Sequence, residues 1–486
     1  MAINFKDIEI ATSVENPFEG DKLNRRKTII QLTSLLRGLG EYGCVMALNG
    51  EWGSGKTTTV SMWRNYIASS EINGKSLYFN AWENDYVENP MVALIAEMKA
   101  LFHDNPLFES IITKGSRIAV KIGGALLKAG VKKYTGLDCD SINSGIDELA
   151  SIYSERIASY DSEKKELEDF KKALSEFVAD NSSEFPVVFF IDELDRCNPH
   201  YAVRVLECVK HLFDVPNIVF VLATNLNQLQ YAIQGFYGSN KIDGREYLKR
   251  FIDFEFTIPE PNIKDYALAL YDRHGFDDFF GHNQRAYDRE LSSQADLFKQ
   301  AIGDLLSAYH LNLRTTNKIM TYSRLALMGF PIRSLFSSDV FFFLCLLKNV
   351  EPRIYDKIKA GEYSIQSLYT ELENVLPSVL FTDEDFGFTT RHMAWLIANL
   401  LFCYNYSSRG MEREKDFVGK ENPQTKKMEF PIKTQRIDRE QFFEALAWFQ
   451  SGRLRNSYNG LKMYFDRIDL LDNIDRYRRL MRPNER

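Results

Sequence analysis

Nine consecutive residues, Gly50, Glu51, Trp52, Gly53, Ser54, Gly55, Lys56, Thr57 and Thr58, have the types and spacing needed to hold a phosphate chain. Gly50 to Thr57 fits G-x-x-x-x-G-K-[ST] without mismatch, which is the pattern of a P-loop. Gly50, Gly53 and Gly55 let the backbone take conformations closed to other residues and bring its N–H groups near phosphate. The helix expected after the loop adds the positive end of its dipole. Lys56 would reach the β- and γ-phosphates of ATP, and the Thr57 hydroxyl would hold Mg²⁺.

A second stretch, FPVVFFIDELDRC at 185–197, supplies the matching acids. Val187 to Ile191 is an apolar run that reads as a central strand and delivers Asp192 and Glu193 at its end. In this Walker B arrangement Asp192 would bind Mg²⁺ and Glu193 would polarise the attacking water.

These groups need a scaffold, and the chain alternates strand and helix patterns as an α/β fold requires. Cys44 to Asn49 reads as the strand before the loop and Thr58 to Tyr66 as the helix after it; Ser76 to Trp82 and Ile218 to Asn225 read as further strands. Pro90 to Phe102 and Pro199 to Leu212 are helical patterns. The expectation is a parallel sheet flanked by helices, with the nucleotide at the carboxyl ends of its strands. Thr224 and Asn225 at one strand tip either read the γ-phosphate or make a turn or cap.

Before the first strand, an amphipathic helix starting near Asp21 places Leu23, Ile30, Leu32, Leu35 and Leu36 on one face, with Asp21 as N-cap and Gly38 and Gly40 as stops. Arg25 and Arg26 on it face either base and ribose or solvent. A helical insertion is expected at about 105–181. Its first part, 107–136, spaces Lys114, Arg117, Lys121, Lys128, Lys132 and Lys133 among small apolar residues. It is either a cationic surface for a membrane or nucleic acid, or a glycine-broken helix pair on its own protein. The rest, 141–181, reads as a charged amphipathic helix.

Pro259-Glu260-Pro261 closes the first domain, 1–260. A helical lid at 261–330 follows, in which Arg314 is a candidate to reach back to the phosphates. Residues 331–486 read as a mostly helical partner-binding region, with a charged loop or hairpin at 413–437 and arginines at 476, 478, 479 and 482. The run VFFFLCLL at 340–347 is too short to span a bilayer.

Composition sets outer bounds. The 486 residues are 45% hydrophobic and 26% charged, ordinary for a globular chain. A net charge of -7 writes no dominant nucleic-acid footprint into the total. Six cysteines without C-x-x-C or zinc spacing suit a reducing compartment, and no signal peptide is visible, so a cytoplasmic protein is expected.

Four stretches together, GEWGSGKTT at 50–58, FNAW at 79–82, FFIDELDRC at 189–197 and YLKRF at 247–251, resemble the KAP family of P-loop NTPases, a signal-transducing branch of the additional-strand ATPases. The resemblance covers about residues 15–330. It implies that Lys56, Thr57, Asp192 and Glu193 carry ATP and Mg²⁺ chemistry, that Asp195 and Arg196 are the family's acid–arginine pair, and that Arg314 is its basic lid residue. Many relatives insert transmembrane helices between the two motifs, where this chain has the cationic stretch. Asn225 stands where an acid is expected. Bacterial relatives occur in phage exclusion, which implies that setting. The expectation is a Mg²⁺-dependent ATPase acting as a switch or assembly module, through self-association and a protein effector. The alternatives are a motor on nucleic acid and a nucleotide-gated scaffold without significant hydrolysis.

Overall fold

The computed structural model describes residues 12–39, 42–87, 89–102, 108, 111–115, 164–179, 185–212, 215–382, 388–405, 414, 417, 419–424, 426–451 and 460–472. Most of the cationic stretch at 107–136, the first part of the charged helix at 141–163 and the arginines at 476–482 lie outside them. The chain divides into two units, 9–260 and 261–486.

The first unit is built on five strands: β1 (Cys44–Asn49), β2 (Ser76–Asn80), β3 (Val187–Asp192), β4 (Ile218–Thr224) and β5 (Phe254–Thr257). All pair in parallel, in the order β2-β3-β4-β1-β5. β4 therefore sits between the strand before the P-loop and the strand bearing the acids. Every residue of β3 and β4 is buried, as unbroken apolar strands covered on both faces must be. Register aligns Asn49 with Thr224 and Asn80 with Asp192, which brings the polar strand ends to one edge.

Side chains alternate between two cores. Val188 and Phe190 join Val219 and Val221 beneath α1 (Arg26–Leu39) and α2 (Lys56–Ala68). Phe189 and Ile191 join Phe220 and Leu222 beneath α3 (Pro90–Phe102), α4 (164–179), α5 (Pro199–Leu212) and α6 (Leu226–Tyr237). α1 begins at Arg26, later than expected, and buries Ile29, Leu32, Thr33 and Leu36. That spacing leaves Leu35, expected in the stripe, 44% exposed. Asp21 still caps the helix entrance, its carboxylate accepting from the backbone N–H of Arg25 and Arg26 at 2.9 Å each.

The second unit is helical: α7 (Ile263–Arg273), α8 (Gln294–Ala308), α9 (Leu313–Leu327), α10 (Ser338–Val350), α11 (Pro352–Ala360), α12 (Ile365–Val375), α13 (Phe388–Asn405), α14 (Arg439–Gln450) and α15 (Lys462–Ile468), with shorter turns between. The charged stretch at 413–437 contains a short antiparallel hairpin, Lys420–Glu421 with Met428–Glu429. The run at 340–347 is the fully buried centre of α10. Aromatic rings from both sides of residue 331 pack together here, Phe330 on Phe336 at 4.3 Å and Phe298 on Phe342 at 5.4 Å. Among the described residues no helix is long and apolar enough to cross a membrane.

Candidate nucleotide-binding site

The loop between β1 and α2 owes its shape above all to two of its three glycines. Gly53 and Gly55 have φ of 78° and 86°, a region that L side chains avoid. Gly50 has no positive φ, so the conformational reason that the sequence reading gave all three glycines holds for Gly53 and Gly55; a Cβ at Gly50 would lie 2.7 Å from Ser54 Oγ, the end of a side chain that can rotate away. Lys56 opens α2, and its ammonium donates to the carbonyls of Gly50 at 2.6 Å and Glu51 at 3.1 Å, so the loop folds around its own lysine. Burial pulls the Lys56 pKa down, against the attraction of Asp195 and Asp192.

The acids stand at the end of β3. Asp192 is 1% exposed; it accepts hydrogen bonds from the Glu193 N–H at 2.9 Å and from Tyr78 OH at 3.2 Å. Burial raises its pKa, and these donors oppose the rise. The Thr57 hydroxyl is near enough to help hold the Asp192 pKa down against burial. One hydroxyl and one carboxylate are the two protein oxygens that a phosphate-bound Mg²⁺ requires, so the donor set fits that ion. Glu193 follows at φ 61°, a left-handed conformation rare for a residue with a side chain and common where strain is held at a site. Its carboxylate pairs with Arg196 at 2.8 Å, across one 3₁₀ turn (Leu194–Arg196).

Around these groups the motif residues bind one another. The Arg196 guanidinium lies over the Trp82 ring at 5.3 Å, joining FNAW to the acid–arginine pair. Asp195 accepts from Trp52 Nε1 of the loop and from the Thr224 hydroxyl at 2.9 Å. Asn225 caps α6, its side chain accepting from the N–H of Asn227 and Gln228, while its amide donates to Glu51 Oε2 at 2.8 Å. Of the two readings of that strand tip, Asn225 fits the cap, and both residues engage neighbours of the P-loop. Glu51 and Trp52 themselves are exposed, and Thr58 lies in the first turn of α2.

Arg25 corrects the sequence reading. It reaches neither solvent nor an open base site. At 1% exposure its guanidinium donates to Ser54 O at 3.1 Å and Pro259 O at 2.6 Å, tying the loop to the chain after β5. Arg26 is exposed and lies over the Phe18 ring at 5.6 Å. Tyr78, in the middle of β2, also joins the site without a signal of its own, whereas Thr224 was marked by its place at a strand tip. Arg314 is in the first turn of α9, within the second unit.

Comparison with known proteins bears on this geometry. The model of the KAP family P-loop domain matches residues 25–322, more than half of the chain. The Phage T7 exclusion protein of Escherichia coli is 22% identical over 238 residues, which is 46% of this chain and 31% of that protein. The chain therefore spans about a third of that relative's length. Among solved structures, the Aeropyrum pernix ORC2 protein with ADPNP and ADP has a TM-score of 0.35 at 12% identity, over 92% of this chain and 98% of that one. Its ADP form gives 0.33 at 10%, over 93% and 97%. Superpositions this loose fix no residue correspondence. With the P-loop, the paired acids and the interposed strand in place, the chain belongs to the KAP family of P-loop NTPases.

Proposed function

We propose that this protein is a Mg²⁺-dependent ATPase whose nucleotide cycle drives a switch or an assembly step. The observation that carries the reading is the convergence of Lys56, Thr57, Asp192 and Glu193 at the ends of β1 and β3, where Asp195, after the paired acids, is hydrogen-bonded to Trp52 of the loop. Mg²⁺, held by Thr57 and Asp192, would supply charge neutralisation at the phosphates. Lys56 exchanges its carbonyl partners for phosphate oxygens as the loop N–H groups take up the chain of ATP. Glu193 orients the attacking water and accepts its proton, held in place by its strained backbone and by Arg196. Catalysis of this kind is mainly positioning and charge stabilisation. Arg314 is the proposed lid arginine.

Residues 261–330 would act as the lid and 331–486 as the reader of nucleotide state, binding a protein effector in the cytoplasm. The name of the Escherichia coli relative supports a setting in phage exclusion. Size-exclusion chromatography of Glu193→Gln with and without Mg·ATP tests the assembly reading. A larger species formed only with ATP supports it, and an unchanged elution volume contradicts it.

A further inference from the structure

Tyr78 lies in the middle of β2, the edge strand of the sheet, and register pairs it with Phe190 of β3. Residues two apart in a strand share a face, so Asp192 follows Phe190 on the side where Tyr78 also stands. That diagonal step is within reach of an aromatic side chain. The Tyr78 ring packs against the core that holds Val188 and Phe190, and its hydroxyl meets Asp192 Oδ2 at 3.2 Å. Asn80, directly opposite Asp192, is engaged in its own turn: its Oδ1 accepts from the N–H of Trp82 at 3.1 Å and of Glu83 at 3.3 Å.

The Asp192 carboxylate is thus held at both oxygens, Oδ1 by the Glu193 N–H and Oδ2 by Tyr78. An ionised carboxylate only accepts, so the phenol is the donor. Burial and the neighbouring Asp192 both raise the Tyr78 pKa, so the hydroxyl keeps its proton at neutral pH. On the α2 side the Arg64 guanidinium lies over the Tyr78 ring at 5.1 Å. Two turns separate Arg64 from Thr57 on that helix, which places the two on one face. The ring that carries the donor is therefore itself fixed, by the core and by Arg64.

We infer, resting on the proposed role of Asp192 in holding Mg²⁺, that Tyr78 is a positioning residue for that ion. A donor at each oxygen stops the carboxylate from turning about its Cβ–Cγ bond and keeps its remaining lone pairs in one orientation. Hydrogen-bond partners of metal-holding side chains typically set metal affinity by about 10–100-fold. Packing alone accounts for an aromatic ring at this position; the hydroxyl is what phenylalanine would lack.

A Mg²⁺ titration of the full chain at a fixed concentration of a fluorescent ATP analogue, read as analogue binding, tests this. Tyr78→Phe keeps the ring and its contacts and should raise the Mg²⁺ midpoint about tenfold. Tyr66→Phe removes another tyrosine–carboxylate hydrogen bond of this unit, to Glu71 at 2.9 Å, and should leave the midpoint where it is. In an Asp192→Asn background, Tyr78→Phe should add no further shift, because its effect passes through that carboxylate. A wild-type protein that needs Mg²⁺ and a Tyr78→Phe protein with the same midpoint overturn this inference alone. Equal shifts in Tyr66→Phe and Tyr78→Phe, or a further shift in the double variant, also overturn it. Wild-type binding indifferent to Mg²⁺ overturns the Mg²⁺ reading of the site and this inference with it.

Discussion

The Glu193 carboxylate and the Arg196 guanidinium stand 2.8 Å apart on either side of one 3₁₀ turn, and the guanidinium also covers the Trp82 ring. The pair joins the acid that would activate water to the FNAW stretch at the end of β2. Arg196 reaches the proposed chemistry only through Glu193, which makes it a positioning residue. Arg196→Ala is expected to lower kcat about tenfold with little change in KM. Arg196→Lys should restore only part of the rate, because a lysine lacks the flat fork that pairs and stacks at once. Steady-state phosphate release measures both.

Arg25 makes a similar prediction for the loop itself. Its buried guanidinium holds the Ser54 and Pro259 carbonyls together. Loss of two charge-assisted hydrogen bonds at a buried position costs about 3 kcal/mol. Arg25→Ala should therefore lower the thermal midpoint and weaken ATP binding, although the side chain need not touch the nucleotide. Calorimetry with and without ATP separates the two effects.

In the helical unit, Asp469 accepts from Tyr355 OH at 2.8 Å and Lys348 Nζ at 2.9 Å, and its other oxygen forms an ion pair with Lys359 Nζ at 2.6 Å. These donors hold its pKa below the usual value despite burial, which acts to raise it. Its stabilising effect is therefore present above the unfolded carboxylate pKa and lost as pH falls through the lower folded value. Asp469→Ala should destabilise the protein by about 2 kcal/mol at pH 7, since the pairs are partly exposed, as read by denaturant unfolding.

Much of the site was legible because its signals are local. A glycine spacing and an apolar run ending in two acids need no tertiary knowledge, and β1, α3, β3 and α5 follow from the same periodicities. The burial of Arg25 was not legible. Nothing in DKLNRRK distinguishes a buried arginine from a solvated one until β5 brings Pro259 beside Ser54. The placement of β4 between β1 and β3 is likewise a long-range pairing, and nothing in the sequence reading anticipated it. Asn225 fitted two readings because capping and ligand contact use the same side chain, and the loop partner Glu51 is 174 positions away.

His274 gives the protein a pH response. Burial lowers its pKa, with the nearby Arg273 and Arg324 adding to the effect and the hydrogen bond to Asn317 opposing it. A histidine kept neutral in the fold takes up its proton more readily when unfolded. Stability is then full above about pH 6.5 and falls as pH drops from there through the lower folded pKa. The thermal midpoint should decline between pH 7.5 and 5.5, and less steeply in His274→Gln. Equal slopes for the two proteins would refute this.

The most direct measurement of the central claim compares ATP binding and phosphate release in wild type, Lys56→Ala and Glu193→Gln. Wild type should turn over ATP only with Mg²⁺, and Lys56→Ala should lose both binding and turnover. Glu193→Gln should keep ATP affinity within a few-fold while turnover falls by about 10²–10³. Turnover by Glu193→Gln at the wild-type rate, or wild type that binds ATP without releasing phosphate, would contradict the account.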